Sequence, residues 1–184
     1  MKIRAFIAVD IGPLSELVKF EEEIKATGAK VKLVEPDNIH ITLKFLGDTS
    51  DELVPDINDI IQNSVNNIKP FQLQLHGSGA FPNLNYIKII WIGINDPGPL
   101  PKLARELDNK LIDLGFKPES RGFKPHITLG RVKGSQNKSA LKKLISENKD
   151  RNFGELEIKE IKLKQSVLDP TGPTYFTLGD ITLD

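Results

Sequence analysis

The spacing of apolar residues along the chain predicts a mixture of strands and helices. Alternation of apolar and polar residues, typical of half-buried strands, predicts strands over residues 2–9, 40–46, 71–75, 86–94, 123–132, 153–168 and 175–178. Apolar residues three and four positions apart, typical of amphipathic helices, predict helices over residues 13–27, 50–66, 100–114 and 137–148. Together these elements indicate an α+β protein.

The order of the predicted elements repeats along the chain. Residues 95–99, Asn-Asp-Pro-Gly-Pro, form the clearest linker, and on each side the order is helix, strand, helix and then further strands. We predict a single bilobed domain over residues 1–184 in a pseudo-two-fold arrangement, with approximate halves 10–95 and 96–175. The N-terminal strand and the C-terminal segment are free to cross between the lobes in this interpretation.

One tetrapeptide, His-Ile-Thr-Leu, occurs twice, at residues 40–43 and 126–129, around two of the three histidines in the chain. In a strand, alternate side chains share a face. The histidine and threonine of each copy are therefore predicted to face a cleft, and the isoleucine and leucine to anchor the strand in a core. If pseudo-symmetry brings the two strands together, the cleft contains two imidazoles and two hydroxyls.

Such a cleft suits displacement at phosphorus. Histidine titrates near neutrality, so one imidazole can accept a proton from the entering oxygen while the other donates one to the leaving oxygen, without a metal. The hydroxyls of Thr42 and Thr128 can donate to the non-bridging phosphate oxygens. The spacing predicts one acid and one base among His40 and His126 but does not assign them.

Three basic residues follow or precede the tetrapeptides closely enough to add positive charge to a phosphate site. Lys44 and Lys124 have the same strand parity as the histidines, which predicts that they face the cleft. Arg131 has the opposite parity and joins them only through a bulge or a strand end.

Composition narrows the classes of function. The 25 basic and 25 acidic residues give zero formal net charge, which argues against a protein that coats a long duplex but permits a local anion site. The chain has no cysteine, which excludes disulfides, thiolate nucleophiles and cysteine metal sites. Residues 1–9 are too short and too charged for an export signal, and no apolar run is long enough to cross a membrane, which predicts a cytoplasmic protein.

The motifs closely resemble those of the two-histidine phosphoesterase superfamily, and within it the RNA 2′,3′-cyclic phosphodiesterase (2′-5′ RNA ligase-like) family. The paired tetrapeptides mark the superfamily, and the flanking segments favour this branch. The resemblance covers nearly the whole chain through residues 4–8, 40–47, 79–82, 123–131 and 165–168, together with Gly172 and Tyr175.

The resemblance implies an antiparallel sheet with helices in each lobe and an active site between the lobes. It also implies hydrolysis of a terminal RNA 2′,3′-cyclic phosphate to a 2′-phosphate, with neither metal nor cofactor. His40 would be the proton donor to the leaving 3′ oxygen, and His126 the base that activates water. Thr42 and Thr128 would hold the phosphate, and Tyr175 would stack on the terminal base. The expected partners are RNA 3′ ends with a cyclic phosphate, such as tRNA fragments, and the expected state is a monomer.

Two alternatives use the same cleft. A reversible 2′-5′ RNA ligase would replace water with the 5′-hydroxyl of a second RNA and keep the same acid and base. A binding module would hold a nucleotide or an RNA end without turnover. Both histidines are present, which favours catalysis over simple binding.

Overall fold

Strands and helices form in all of the predicted segments, the segment 153–168 divides into two strands, and one further three-residue strand appears. The computed structural model describes residues 1–184. The strands are β1 (Lys2–Asp10), β2 (Val31–Leu33), β3 (His40–Ser50), β4 (Phe71–Asn83), β5 (Tyr86–Asp96), β6 (His126–Val132), β7 (Asn152–Ile158), β8 (Glu160–Asp169) and β9 (Gly172–Thr182). The helices are α1 (Ser15–Ala26), α2 (Val54–Val65), α3 (Leu100–Leu111) and α4 (Lys138–Glu147). None of these helices has the length and apolarity that a bilayer crossing needs.

The strands form two antiparallel sheets, and each sheet contains one copy of the tetrapeptide. Sheet I has the strand order β3-β1-β8-β9, and sheet II has the order β2-β6-β5-β4-β7. His40 is the first residue of β3, and His126 is the first residue of β6. The α+β class with two antiparallel sheets is therefore confirmed.

The apolar residues of both tetrapeptides anchor their strands as predicted. Ile41 and Ile127 are fully buried at 0% exposure, and Leu129 is equally inaccessible. Leu43 retains only 6% of its surface. Burial of a branched aliphatic side chain contributes about 1.5–3 kcal/mol relative to exposure. These residues thus fix which face of each strand points away from the core, and that face carries the histidine and the threonine.

The helices cover the outer faces of the sheets in an exchanged pattern. α2 and α3 pack on sheet I, whereas α1 and α4 pack on sheet II. The helix that precedes each tetrapeptide strand therefore lies on the sheet of the other tetrapeptide. Strands exchange as well, since β4 and β5 join sheet II and β8 and β9 join sheet I. The predicted halves 10–95 and 96–175 consequently do not coincide with the two sheets.

Candidate active site

Each histidine ring is fixed by a backbone carbonyl two residues before it. Nδ1 of His40 lies 2.7 Å from the carbonyl oxygen of Asn38, and Nδ1 of His126 lies 2.7 Å from that of Lys124. A carbonyl oxygen only accepts hydrogen bonds, so each Nδ1 carries a proton and donates it. This assignment leaves Nε2 of both rings as the nitrogen that can exchange protons.

Each histidine ring also lies beside a phenylalanine, at the same distance but at different interplanar angles of 39° for Phe6 and 88° for Phe81. The ring centroids of Phe6 and His40 are 5.1 Å apart, and those of Phe81 and His126 are likewise 5.1 Å apart. Tyr175 adds an edge-on contact with His40 at 5.4 Å. Each imidazole thus has one phenylalanine neighbour, and only His40 has a second aromatic ring beside it.

The threonines differ in their contacts. Nε2 of His40 and Oγ1 of Thr42 are 3.0 Å apart, and because the neutral ring has no proton on Nε2, the hydroxyl donates. No protein group hydrogen-bonds Nε2 of His126, and the single hydrogen bond of this ring is the one through Nδ1. Thr128 lies opposite Trp91 in the neighbouring strand. The lone pair of His126 is thus open to the cleft, while that of His40 is occupied by a protein hydroxyl.

Electrostatics connects the two rings. Burial lowers the pKa of His40 below its ordinary value of 6.5. The positive charge of Lys164, and that of His126 whenever that ring is protonated, lower this pKa further, whereas the hydrogen bond to Asn38 and the charge of Asp10 oppose the decrease. Burial thus favours the neutral form of His40, and a proton on His126 favours it further.

A lysine–aspartate pair adjoins His40, and no pattern in the sequence predicted it. Nζ of Lys164 donates to Oδ1 of Asp10 at 2.7 Å, and the lysine side chain is only 7% exposed. Asp10 lies opposite His40 in the β1–β3 register, and Nζ of Lys164 is 5.4 Å from the Tyr175 ring centre. Only the pairing of β1 with both β3 and β8 brings these residues together.

We expect Lys164→Met to raise the pKa of His40, because a positive charge is removed and Asp10 loses one partner. The measurement is a proton NMR titration of the His40 ring, with Lys162→Met as the control. Lys162 also contacts Asp10, but it is not among the charges that act on His40. An unchanged His40 pKa, or equal shifts in both variants, would contradict this electrostatic assignment.

The lowered pKa of His40 also affects the pH dependence of stability. In the unfolded chain this ring titrates near 6.5, and in the folded protein it titrates lower. The stabilisation of the neutral ring is therefore fully present above pH 6.5 and decreases as the pH falls through 6.5 toward the folded-state pKa. The test is urea unfolding of the wild type and of His40→Gln at several values between about pH 5 and 8, on either side of the ordinary histidine pKa. The free energy of unfolding of the wild type, relative to that of the variant, should decrease toward acid pH.

Lys44 does not lie in the cleft. The register of β3 against β1 shifts between Thr42 and Lys44, which turns Lys44 to the opposite face. Its Nζ donates to Oδ1 of Asp108 at 2.5 Å and to the carbonyl oxygen of Lys117 at 2.7 Å, and the side chain is 5% exposed. The prediction that Lys44 shares the histidine face is wrong, because the bulge reverses strand parity, and its enclosed pairing with Asp108 removes the argument for a substrate contact.

A bulge in the other sheet brings Arg131 toward the cleft. The register of β6 against β5 shifts after Thr128, which lies opposite Trp91, so that Arg131 lies opposite Ile89 on the same face. Burial raises the pKa of the Tyr175 hydroxyl above its ordinary value, and the charge of Arg131 opposes that increase. Arg131 therefore lies on the same face of sheet II as Thr128, near enough to Tyr175 of sheet I for its charge to act there.

The remaining two predicted residues occupy different positions. Tyr175 is half-buried, and its ring lies 5.1 Å from Phe6 as well as beside His40. Lys124 is exposed and precedes β6; its contact with His126 is through its backbone carbonyl. Of the predicted residues, the structure thus brings together His40, Thr42, His126, Thr128, Arg131 and Tyr175, and it separates Lys44 from them.

Two sheets that each present a His-Ile-Thr-Leu strand to a shared cleft are the arrangement of the two-histidine phosphoesterases. The chain belongs to the 2′-5′ RNA ligase superfamily, whose family model matches residues 13–168. A relative from Methanocaldococcus jannaschii, named RNA 2′,3′-cyclic phosphodiesterase, is 45% identical over 175 residues, which are 94% of this chain and 96% of the relative. A relative of the same name from Methanothermobacter thermautotrophicus is 39% identical over 95% of this chain and 96% of its own length.

Solved structures show the same fold. The crystal structure of TT0787 from Thermus thermophilus superposes with a TM-score of 0.83 at 27% identity, over 98% of each chain. E. coli LigT, crystallised with 3′-AMP, superposes with a TM-score of 0.75 at 24% identity, over 100% of this chain and 99% of LigT. Both chains therefore share the fold of this protein over nearly their whole length.

Proposed function

We propose that this protein hydrolyses the terminal 2′,3′-cyclic phosphate of RNA to a 2′-phosphate, by acid–base catalysis between His40 and His126 and without a metal. The observation that carries this proposal is the matched geometry of the two rings. Each Nδ1 is committed to a carbonyl oxygen, so each Nε2 is the reactive nitrogen, and the two strands that begin with these histidines, β3 and β6, contact each other. The names of the close relatives support the same activity.

In the proposed reaction the oxygen of a water molecule attacks phosphorus and its proton passes to Nε2 of His126. The bond between phosphorus and the 3′ oxygen breaks, and Nε2 of His40 gives that oxygen a proton. The open lone pair of His126 supports its assignment as the base. His40 must be protonated when it acts as the acid, and an anionic phosphate beside it favours the protonated ring, which offsets its lowered pKa.

The remaining cleft residues are proposed to bind the substrate. The hydroxyls of Thr42 and Thr128 donate to the non-bridging phosphate oxygens, where negative charge increases in the transition state. Arg131 adds a fixed positive charge to the same cleft, and Tyr175 offers an aromatic surface to the terminal base. Lys124, at the exposed entrance to β6, is proposed to contact the RNA outside the cleft.

The test is incubation of the purified protein, in excess EDTA, with a short RNA that ends in a 2′,3′-cyclic phosphate. We expect complete conversion to a 2′-phosphate, resolved from the 3′-phosphate isomer by chromatography. A 3′-phosphate product would contradict the assignment of His40 as donor to the 3′ oxygen. Loss of activity in EDTA that returns with a divalent cation would contradict the metal-free mechanism.

RNA joining is the second candidate function. It is supported by the description of the matched family, the 2′-5′ RNA ligase superfamily. A 5′-hydroxyl end would replace water, give its proton to His126 and form a 2′-5′ linkage. Two RNA fragments, one with a cyclic phosphate and one with a 5′-hydroxyl, distinguish the reactions. A product of summed length indicates joining, and a 2′-phosphate alone indicates hydrolysis.

We further propose that the protein acts as a monomer in the cytoplasm on RNA fragments, including tRNA fragments with cyclic ends. The support for a monomer is that one chain supplies both histidines and both threonines of the cleft. Sedimentation of the active protein tests it, since activity that requires a dimer would contradict a site completed within one chain.

A further inference from the structure

A groove of about 470 Å³ lies beyond the cleft, at the end of sheet II where β5 begins and β6 ends. Four cationic side chains line it, namely Lys88, Arg131, Lys133 and Lys138, and no carboxylate does. Tyr86, at its edge, is 54% exposed, with Nζ of Lys88 5.1 Å from its ring centre. The groove thus combines concentrated positive charge with an exposed aromatic ring.

The positive charge of the groove is not neutralised by the protein. None of the four cations forms an ion pair, whereas Lys44, Arg151 and Lys164 elsewhere in the chain are all paired with carboxylates. Lys30 approaches Gly134 at the groove wall, and Lys142 donates to a neutral partner, Asn85. The groove therefore brings four cations together without a carboxylate among them, although the whole chain has as many acidic as basic residues.

Strand β6 connects the groove directly to the cleft. The strand begins at His126, and its bulge places Arg131 on the face of Thr128, so Arg131 borders both the cleft and the groove. At about 3.3 Å per residue, the groove begins roughly 15 Å from the histidine. A nucleic acid strand whose 3′ end lies between the histidines reaches it within a few nucleotides.

We propose that this groove binds the phosphate backbone of the RNA strand upstream of the cyclic end. The inference rests on the proposed function, because that function places the 3′ terminus between His40 and His126. Lys88, Lys133 and Lys138 contact phosphates, and Tyr86 stacks on a base. Contacts of this kind do not distinguish one base from another, so the groove selects substrates by the length and the charge of the strand.

The kinetic test compares two substrates in two variants. The groove variant replaces Lys88, Lys133 and Lys138 with glutamine. The control variant makes the same replacement at three exposed lysines outside the groove, Lys19, Lys69 and Lys102. For an RNA hexanucleotide with a cyclic end, we expect the groove variant to raise KM by about tenfold or more at low salt. For adenosine 2′,3′-cyclic phosphate, which has no upstream phosphate, both variants should match the wild type within about twofold. The salt dependence of kcat/KM for the hexanucleotide should become shallower by about 2 in logarithmic slope, at about 0.7 for each of three lost contacts.

Equal losses on both substrates, or no loss on the hexanucleotide, would overturn the proposal. A binding measurement tests the groove independently of the proposed catalytic activity. Fluorescence anisotropy with a labelled hexanucleotide that ends in a 3′-phosphate requires no turnover. Binding at least about tenfold weaker in the groove variant than in the lysine control supports the groove even if the protein hydrolyses no cyclic phosphate. Equal binding would leave the groove for another anionic partner and refute an RNA site.

Discussion

His126→Ala will lower kcat for hydrolysis of an RNA 2′,3′-cyclic phosphate by about 10²- to 10⁴-fold, the range that a positioned general base contributes. The reason is that Nε2 of His126 has no protein partner and its Nδ1 is committed to a carbonyl, so no other group occupies its position. KM should change little, because Thr42, Thr128 and Arg131 remain to hold the phosphate. Initial rates under saturating substrate measure the effect.

The control for this loss is His76→Ala, which removes the third histidine of the chain from a different part of sheet II. That variant should retain the wild-type kcat. His40→Ala should resemble His126→Ala, and the double variant should be little worse than either one, since the effects of an acid and a base that act in one step are not additive. Activity of His126→Ala within a few fold of the wild type would contradict the two-histidine mechanism.

Lys44→Ala will lower the free energy of unfolding by about 2–3 kcal/mol while leaving hydrolysis nearly unchanged. The substitution removes the partner of a buried carboxylate, a change that costs about 3–5 kcal/mol when both groups are fully enclosed. The loss is smaller here because Asp108 remains 18% exposed and also accepts hydrogen bonds from the backbone nitrogen of Glu119. Urea unfolding monitored by fluorescence gives the difference.

A double-mutant cycle with Asp108→Ala separates the ion pair from other effects. We expect the double variant to be more stable than the sum of the two single losses implies, because it leaves no unpaired charge. If Lys44→Ala instead kept the stability of the wild type and lost much of its kcat/KM, Lys44 would be a substrate-binding residue. That result would contradict the position on the opposite face that the bulge gives it.

The elements nearest the site were the most predictable from sequence. The tetrapeptides identified β3 and β6, because a strand that buries isoleucine on one side must expose histidine and threonine on the other. The duplication then predicted that the two histidines share a cleft. Those inferences depend only on side-chain period and on repetition, and both are local properties of the chain.

Lys44 and Arg131 show where that local reasoning stops. Strand parity assigned Lys44 to the histidine face and excluded Arg131, and one bulge in each strand reverses both assignments. A bulge depends on how a strand matches its neighbour over its whole length, so counting residues along one strand does not reveal it. The pairing of Lys164 with Asp10 was hidden for the same reason, since it joins residues from β8 and β1.

The lobes were less predictable than the elements. The chain order of helix, strand, helix and further strands is as expected, but α1 and α3 each pack on the sheet of the other tetrapeptide. An amphipathic helix shows which of its faces is buried and gives no information on which sheet covers it. Sequence therefore determined the succession of elements, while long-range packing determined their distribution between the sheets.

The central position of β1 has a consequence for synthesis on the ribosome. β1 lies between β3 and β8 in sheet I, and β8 begins only at Glu160. At about 5–20 residues per second, β1 has one unpaired edge for on the order of ten seconds while the rest of the chain is made. Because an apolar strand with a free edge is a template for aggregation, the nascent chain is most vulnerable to self-association until its last two strands emerge.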